Sequence, residues 1–329
     1  MRAIELVGTE TGTGTKVATY PLPDLSSLAR ELKSGAPGLA VGGVVPGARS
    51  LALAAIVSHG WPDGLALVVV PHVAEAEDLA AGLRLLAPGL RVGVAPAELA
   101  SPYLGAEPPL AARLQTVKLL QRIADDSVDL VVAPARLLGS RVPMPRAVND
   151  SAIRIGVGEH LDPGGLAVGL SVAGYRRVDL VEEAGEFAIR GWVVDIHAGG
   201  EAGWRLQLDD DCVESIKIFD PANQRSAGET VEGITLLPLD AFPADPERLI
   251  EVAALLEPEF PALAGQRAEG AEKRLWWGAL HLAGESTNWL DLADHVVVCD
   301  RDEVLGELAR WSLVQDREWQ ALSLSLIHI

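Results

Sequence analysis

The residues from Gly43 to Ser50 have the spacing of a loop that could hold phosphate groups. They read Gly-Val-Val-Pro-Gly-Ala-Arg-Ser and stand between an apolar strand and a predicted helix, the usual setting of phosphate-binding loops. A working GxxxxGK[ST] loop needs glycine curvature, a lysine that reaches the β- and γ-phosphates, and a hydroxyl that binds magnesium. The chain keeps Gly43 and Ser50 but has Ala48 and Arg49 in place of the second glycine and the lysine.

Two interpretations of this loop are open: a working ATPase site, or a vestige kept for its turn and its packing. Pro46 lacks a backbone N–H donor, and the planar guanidinium of Arg49 does not replace a compact ammonium. A hydrolase also needs an acid pair at a strand end, and in the comparable segment 300–303 Arg301 interrupts the acids. We therefore predict a non-binding loop, with no ATP hydrolysis, at Gly43, Gly47, Arg49 and Ser50.

A second group of residues has the chemistry of a protein-recognition surface. Arg176 and Arg177 follow Tyr175, and Arg190 lies two residues before Trp192. Arginine supplies planar donors and a neighbouring aromatic ring supplies apolar area, and both are common at interface hot spots. The alternative is a solvated face on which these arginines pair with acidic neighbours, namely Glu182, Glu183 and Glu186.

No catalytic or metal-binding pattern accompanies these two groups in the sequence. Asp209–Asp211 lack the further oxygen ligands of a calcium loop at EF-hand spacing, so we predict a turn between strands. The seven histidines are dispersed, and Cys212 and Cys299 are too few for a disulfide framework. We predict a chain with no catalytic residues, no metal and no cofactor of its own.

The composition favours a protein partner over a nucleic acid. The chain has 329 residues, enough for two domains or for one domain with an insert, and its net charge is −19. A surface that binds duplex DNA unaided neutralises several phosphates and is usually basic. Two separated cysteines and the absence of a membrane-length apolar run or a signal-peptide core predict a cytoplasmic protein without a membrane partner.

The elements that must position these residues follow two patterns along the chain. Between residues 25 and 145, unbroken apolar runs such as Leu65–Val70 alternate with helical patterns such as Val73–Leu86. This alternation predicts a parallel sheet covered by helices on both faces. Helical patterns return after residue 238, around an apolar strand from His295, and end with a helix over Glu303–Trp319.

Between these two parts, short alternating segments from Val178 to Leu237 predict an antiparallel β unit. In a single continuous strand, Phe187, Ile189 and Val193 would share one face, and Arg190 and Trp192 the other. We predict one α/β domain in two segments, residues 1–155 and 238–322, with a β-rich insert at 156–237.

The last seven residues, 323–329, read Ser-Leu-Ser-Leu-Ile-His-Ile and show neither a cap nor the periodicity of the preceding helix. We expect them to be a non-native tail, which would make the chain the N-terminal part of a longer protein.

Several short motifs of the β unit form a family pattern. They are Gly185–Gly191, the strand end Asp195-Ile196, the acids Asp209–Asp211, and Ile218–Pro221. The pattern resembles the UvrA-binding module shared by the excision-repair protein UvrB and the transcription-repair coupling factors (Mfd). The resemblance covers nearly the whole chain.

The resemblance implies a fold and a binding site. The fold would be α/β, a degenerate P-loop (RecA/helicase-like) parallel-sheet domain in two segments, carrying an inserted β-rich α+β UvrA-binding domain. The residues that match the positions contacting UvrA are Arg176, Arg177 and Arg190, with Trp192 beside them.

The resemblance also implies a function, that of an adaptor recruiting UvrA to lesions at stalled RNA polymerase. RNA polymerase, duplex DNA, ATP and magnesium would bind the C-terminal region of longer relatives, and that region would mask the UvrA surface.

A UvrB-like ATP-dependent damage-recognition subunit is the alternative, but UvrB has an intact phosphate loop and a long DNA-threading hairpin. The Pro102–Pro109 segment is too short for such a hairpin. A second alternative is a P-loop-derived structural domain without a repair role.

Overall fold

The computed structural model describes residues 2–7, 17–18, 39–42, 44–58, 63–96, 108–200, 202–242, 250–252, 254–255, 258 and 285–327. Among these residues, no helix has the length and apolar character needed to cross a membrane. The chain forms two compact units. The first comprises Met1–Leu104, Arg122–Val142 and Ser286–Ile329, and the second comprises Gly105–Gln121 and Pro143–Glu285.

Strands and helices alternate at both ends of the chain, and strands dominate its middle. The strands are β1 (Arg2–Val7), β2 (Val17–Ala18), β3 (Leu39–Gly42), β4 (Ala66–Val70), β5 (Val92–Val94), β6 (Leu130–Pro134), β7 (Arg141–Pro143), β8 (Ile153–Gly156), β9 (Arg176–Arg177), β10 (Glu186–Arg190), β11 (Val193–His197), β12 (Gly203–Asp209), β13 (Cys212–Asp220), β14 (Arg225–Val231), β15 (Gly233–Leu236), β16 (Ser286–Asn288) and β17 (His295–Cys299). The helices are α1 (Arg49–Ser58), α2 (Val73–Leu86), α3 (Leu110–Ala124), α4 (Pro145–Asp150), α5 (Pro163–Val172), α6 (Trp289–Leu292) and α7 (Arg301–Ile327).

The first unit is built on a seven-stranded sheet of order β2-β3-β1-β17-β4-β6-β5, in which every neighbouring pair is parallel. All five residues of β4 are buried, as expected for a strand covered on both faces. Helices α1 and α2 contribute Leu53, Ile56, Leu79 and Leu83 to the core on this sheet. The predicted parallel sheet is confirmed, and helix α2 has the predicted bounds Val73–Leu86.

The second unit is built on a six-stranded sheet of order β14-β13-β12-β11-β10-β9, antiparallel except for the pair β9–β10. Its core lies between one sheet face and helix α5. Phe187, Ile196 and Leu206 contribute from the sheet, and Leu170 contributes from the helix. The predicted antiparallel β unit is confirmed, and Asp210-Asp211 form the expected turn between β12 and β13.

The structure corrects the prediction of one continuous strand through Arg190 and Val193. Gly191 has a φ of +60°, and Gly191-Trp192 form a two-residue hairpin loop that joins β10 to β11. Glycine at the first loop position favours this turn because it adopts positive φ without strain. Arg190 pairs directly with Val193, so these two residues share a face, and Ile189 lies opposite Val194 on the other face.

One close approach in this sheet gives a prediction about stability. A Cβ on Gly203 would lie 2.7 Å from Phe219 Cδ1 and 2.9 Å from the Ile196 carbonyl oxygen. We expect Gly203→Ala to lower the free energy of unfolding by about 1–3 kcal/mol, the usual cost of overpacking. Urea unfolding measures this change, and Gly89→Ala, where a Cβ meets nothing within 4 Å, is the matched control. Equal stability of the two variants would contradict the prediction.

Three predictions about chain organisation have different outcomes. The family-based boundaries at residues 155, 237 and 322 stay predictions, since the compact units reflect contacts and not ancestry. The helix predicted over Glu303–Trp319 is present but longer, since α7 runs from Arg301 to Ile327. The non-native origin of residues 323–329 remains a prediction.

Candidate functional site

One face of the six-stranded sheet is charged, and the cross-strand register explains which residues it carries. Asp195 on β11 pairs with Ala188 on β10 and with Arg205 on β12, and Arg205 pairs with Lys217 on β13. Directly opposed residues lie on the same face of a sheet. The neighbouring row on this face consists of Arg190, Val193, Gln207 and Ser215. We call these two rows the charged face.

Asp195 is the centre of the charged face. Its side chain is only 1% exposed, yet it is bound by two arginines. Arg205 Nε donates to Oδ1 at 2.6 Å, Arg205 Nη2 donates to Oδ2 at 2.9 Å, and Arg190 Nη2 also donates to Oδ2. This two-point arrangement matches the planar guanidinium to the carboxylate, and the hydrogen bonds to Asp195, together with its charge, raise the pKa of Arg205.

Arg205 is also fixed from its other side. Its guanidinium carbon lies 4.7 Å from the centroid of the Phe219 ring, within cation–π range. Its Nη1 donates to the Gln224 carbonyl at 3.2 Å and to Ser226 Oγ at 3.3 Å. Arg190 has a more accessible side chain, which is 44% exposed. Arg205 is therefore held in place, whereas Arg190 is presented to solvent.

The structure does not bring the other predicted site residues together. Arg176 and Arg177 lie on the edge strand β9, where Arg176 pairs with Glu186 on the side of the charged face and Arg177 pairs with Phe187 on the opposite side. Arg176 forms an ion pair with the nearly buried Glu186 and lies 3.7 Å from Glu183. Arg177 is exposed, and no ion pair of its guanidinium occurs within the part of the chain that the structure describes. Trp192 is 54% exposed at the hairpin turn. The pairing with acidic neighbours, which the solvated-face alternative predicts, thus occurs at Arg176. The assignment of these residues to a partner stays a prediction.

Glu186 gives a second prediction, about pH. Burial alone would raise the pKa of its carboxyl, but N–H donation from Glu183 (2.9 Å) and Glu182 (2.8 Å), with the charge of Arg176, holds the pKa below its usual range. The ionised form therefore stabilises the folded state. This contribution is complete above the unfolded pKa, about 4.3, and is lost as the pH falls through the lower folded pKa.

We expect the free energy of unfolding to fall less between pH 7 and pH 3 in Glu186→Gln than in the wild type. His197, the cross-strand partner of Glu186, has a pKa lowered by burial, so its protonation also destabilises the fold, but at higher pH. Urea unfolding across this range separates the two groups by pH, because Glu186→Gln removes the acidic step and, by removing a nearby negative charge, moves the His197 step to lower pH. Identical pH profiles would contradict the role of Glu186.

Sequence reasoning missed Asp195 and Arg205 as members of the site. Both were visible as polar residues within alternating strands, where Arg205 alternates with Trp204 and Leu206. Their meeting depends on the register of β11 against β12, which the residue pattern of either strand alone does not give.

A second charged cluster occupies the carboxyl end of the parallel sheet in the first unit. Arg49 is 4% exposed and forms ion pairs with Glu75, in the first turn of α2, and with Asp300, just after β17. Asp300 has a φ of +52°, and its carbonyl accepts the Glu303 and Val304 N–H groups at the start of α7. In open α/β sheets this is the edge where ligands bind.

Two backbone N–H groups in the described part of the phosphate-like loop, from Val44 onward, bind carbonyls of the loop itself. Pro46–Ala48 form a single 3-10 turn, in which the Ala48 N–H donates to the Val45 carbonyl at 2.8 Å and the Arg49 N–H donates to Pro46. Gly43 lies outside the described residues. Beside the cluster, burial raises the pKa of the Cys299 thiol to about 12, so this cysteine is not a nucleophile at neutral pH.

Comparison with known proteins shows what the part of the chain with the charged face is similar to. Residues 153–242 match the family model of the UvrB interaction domain, and this range contains every residue of the charged face. This part of the chain is thus similar to the UvrB interaction domain.

The similar full-length proteins are transcription-repair-coupling factors. The chain is 35% identical to that of Escherichia coli (strain K12) over 137 residues, which are 41% of this chain and 12% of the relative. It is 31% identical to that of Haemophilus influenzae over 206 residues, 62% of this chain and 18% of the relative. It is 34% identical to that of Bacillus subtilis (strain 168) over 136 residues, 41% and 12%. The chain spans less than a fifth of each of these relatives.

Proposed function

We propose that this chain is the UvrA-binding, UvrB-like module of a transcription-repair coupling factor. Its charged face would dock UvrA and so recruit the excision machinery to lesions at stalled RNA polymerase. One observation carries the proposal: a partly exposed arginine, Arg190, stands on a firmly held charged face within the matched range 153–242. The proposal also includes Arg176 on the same side of the edge strand β9, Trp192 in the hairpin loop, and Arg177, which pairs with Phe187 and so lies on the opposite side of the sheet.

The proposal assigns no ATP hydrolysis to this chain. Arg49, which replaces the lysine of a phosphate loop, already pairs with two carboxylates, and the Ala48 and Arg49 N–H groups are used inside the turn. Glu75 and Asp300 together outweigh one arginine, so the cluster would repel a phosphate. This supports a degenerate P-loop and opposes the UvrB-like ATP-dependent alternative.

The remaining activities belong to the proposed longer protein. RNA polymerase, duplex DNA, ATP and magnesium would be bound by regions outside this chain, and a cytoplasmic location and masking of the charged face are part of the same proposal. The net charge of −19 agrees with a module that relies on a protein partner.

Isothermal titration of the 329-residue chain with a bacterial UvrA tests the proposal. We expect saturable one-site binding. A folded chain that releases no heat and shows no co-elution with UvrA would overturn the docking function. A separate thermal-unfolding series with MgATP tests the nucleotide part, because a ligand of the folded state raises the melting temperature by mass action. A rise in melting temperature with MgATP would favour the UvrB-like alternative.

A further inference from the structure

We infer that Asp195 is a positioning residue of the docking surface, which joins Arg190 and Arg205 into one receptor for an acidic group of the partner. The juxtaposition behind this inference is a buried carboxylate between two guanidiniums on the charged face. The inference rests on the proposed function, since the partner that would supply the acidic group is UvrA.

Asp195 does not contact the partner itself. Its side chain is 1% exposed, and three N–H groups of the two arginines already bind its oxygens. A carboxylate with its oxygens so occupied has little capacity for a further donor. Its effect on binding therefore passes through the two arginines, whose orientation it fixes.

The charges on this face indicate the chemistry of the partner group. One carboxylate faces two guanidiniums, which leaves a surplus positive charge, and Lys217 lies directly opposite Arg205 on the same face. This positive patch stands on a chain whose net charge is −19. Guanidiniums bind carboxylates through paired N–H donors, so an Asp or Glu side chain of the partner fits the surface.

The two arginines have different parts in this arrangement. Arg205 is restrained by Asp195, by the Phe219 ring and by the Gln224 carbonyl. Arg190 has its Asp195 contact on one side and remains 44% exposed on the other. Side-chain ordering before association reduces the entropy cost of binding, so a fixed Arg190 binds more tightly than a freely rotating one.

The test is the variant Asp195→Asn, assayed by titration with UvrA. The substitution adds positive charge to the surface, so charge attraction alone predicts tighter binding to an acidic partner. Positioning predicts the opposite, a loss of about tenfold, since a charge-assisted hydrogen-bond network is removed. Asp129→Asn is the control, because the Arg91 guanidinium also donates to both oxygens of Asp129, at a more exposed site in the first unit. We expect the control to bind UvrA as the wild type does.

A double-mutant cycle separates positioning from general damage to the fold. In the wild type, Arg190→Gln should weaken UvrA binding at least tenfold, and in the Asp195→Asn background the same change should weaken it less than about threefold. Independent losses of the same size in both backgrounds, or unchanged binding by Asp195→Asn, would overturn the inference. Circular dichroism and the melting temperature establish that the compared variants are folded.

A measurement without the partner keeps the two proposals distinguishable. The 15N relaxation of the arginine Nε–H groups in the wild type should show an ordered Arg205 and a restrained Arg190, and both should become mobile in Asp195→Asn. Mobile guanidiniums in the wild type would overturn the positioning role, even if Asp195→Asn fails to fold. Ordered guanidiniums in a chain that does not bind UvrA would instead overturn the docking function, and with it the role of Asp195 in docking.

Discussion

Replacement of Arg190 by alanine should weaken UvrA binding at least 30-fold while the fold keeps its stability. The lost affinity corresponds to about 2 kcal/mol or more, the size expected for an arginine hot spot. The stability is preserved for a structural reason. Arg205 still binds both oxygens of Asp195, so the buried carboxylate is not left unpaired.

Alanine is a sharper test here than the charge reversal Arg190→Glu. From sequence alone, an exposed strand arginine should tolerate reversal, but the structure places Arg190 against a carboxylate that is 1% exposed. A glutamate at this position would be a diagonal cross-strand neighbour of the buried Asp195 carboxylate, and two like charges that close together are destabilising. We therefore expect Arg190→Glu to lose binding and some stability together, which makes its result ambiguous.

Titration calorimetry with UvrA and thermal unfolding measure the two effects of Arg190→Ala. Arg91→Ala is the matched control, because Arg91 also pairs with an aspartate but lies in the first unit. Its affinity for UvrA should equal that of the wild type. Wild-type affinity of Arg190→Ala would remove this residue from the interface, and a large fall in its melting temperature would show that Arg205 alone does not satisfy Asp195.

The contrast between Arg190 and Asp195 shows how far the sequence predicts this site. Arg190 stands in a short local motif, so its place in a recognition surface follows from neighbouring residues. Asp195 and Arg205 meet only through the pairing of β11 with β12, whereas the hairpin turn at Gly191-Trp192 sets the separate register of β10 against β11 that brings Arg190 to this face. Gly191-Trp192 has the Gly-X pattern of a two-residue hairpin loop, but the apolar residues on both sides of it favoured the prediction of one continuous strand.

Helix α2 and the phosphate-like loop show the same limit in the first unit. The bounds of α2 follow from periodicity within 14 residues, a local property. The sequence of the loop predicts that Arg49 is a poor substitute for lysine. It does not show that the guanidinium turns inward to Glu75 and Asp300, since those residues come from two other elements. A charged cluster whose residues come from distant segments of the chain can be predicted only when the tertiary fold is known.

Replacement of the buried Arg49 by alanine should destabilise the first unit more than the same replacement of the exposed Arg91. We expect Arg49→Ala to lower the free energy of unfolding by about 2–4 kcal/mol, because it leaves two partly buried carboxylates close together without a counter-charge. The side chains of Glu75 and Asp300 are 29% and 22% exposed, so water screens part of the repulsion and the cost stays below that of a fully buried site.

Urea unfolding measures this effect, and two further variants show its cause. Arg91→Ala breaks an ion pair whose arginine is 52% exposed, so it should lower the free energy of unfolding far less than Arg49→Ala does. The triple variant Arg49→Met, Glu75→Gln, Asp300→Asn removes the charges together and should recover part of the stability lost in Arg49→Ala. Asparagine suits position 300 because it tolerates a positive φ.

If Arg49→Ala unfolds as the wild type does, or if the triple variant is the least stable, the cluster is not held together by charge. Recovery in the triple variant would mean that Arg49 neutralises the acids left at the edge of the sheet, a role incompatible with holding a phosphate.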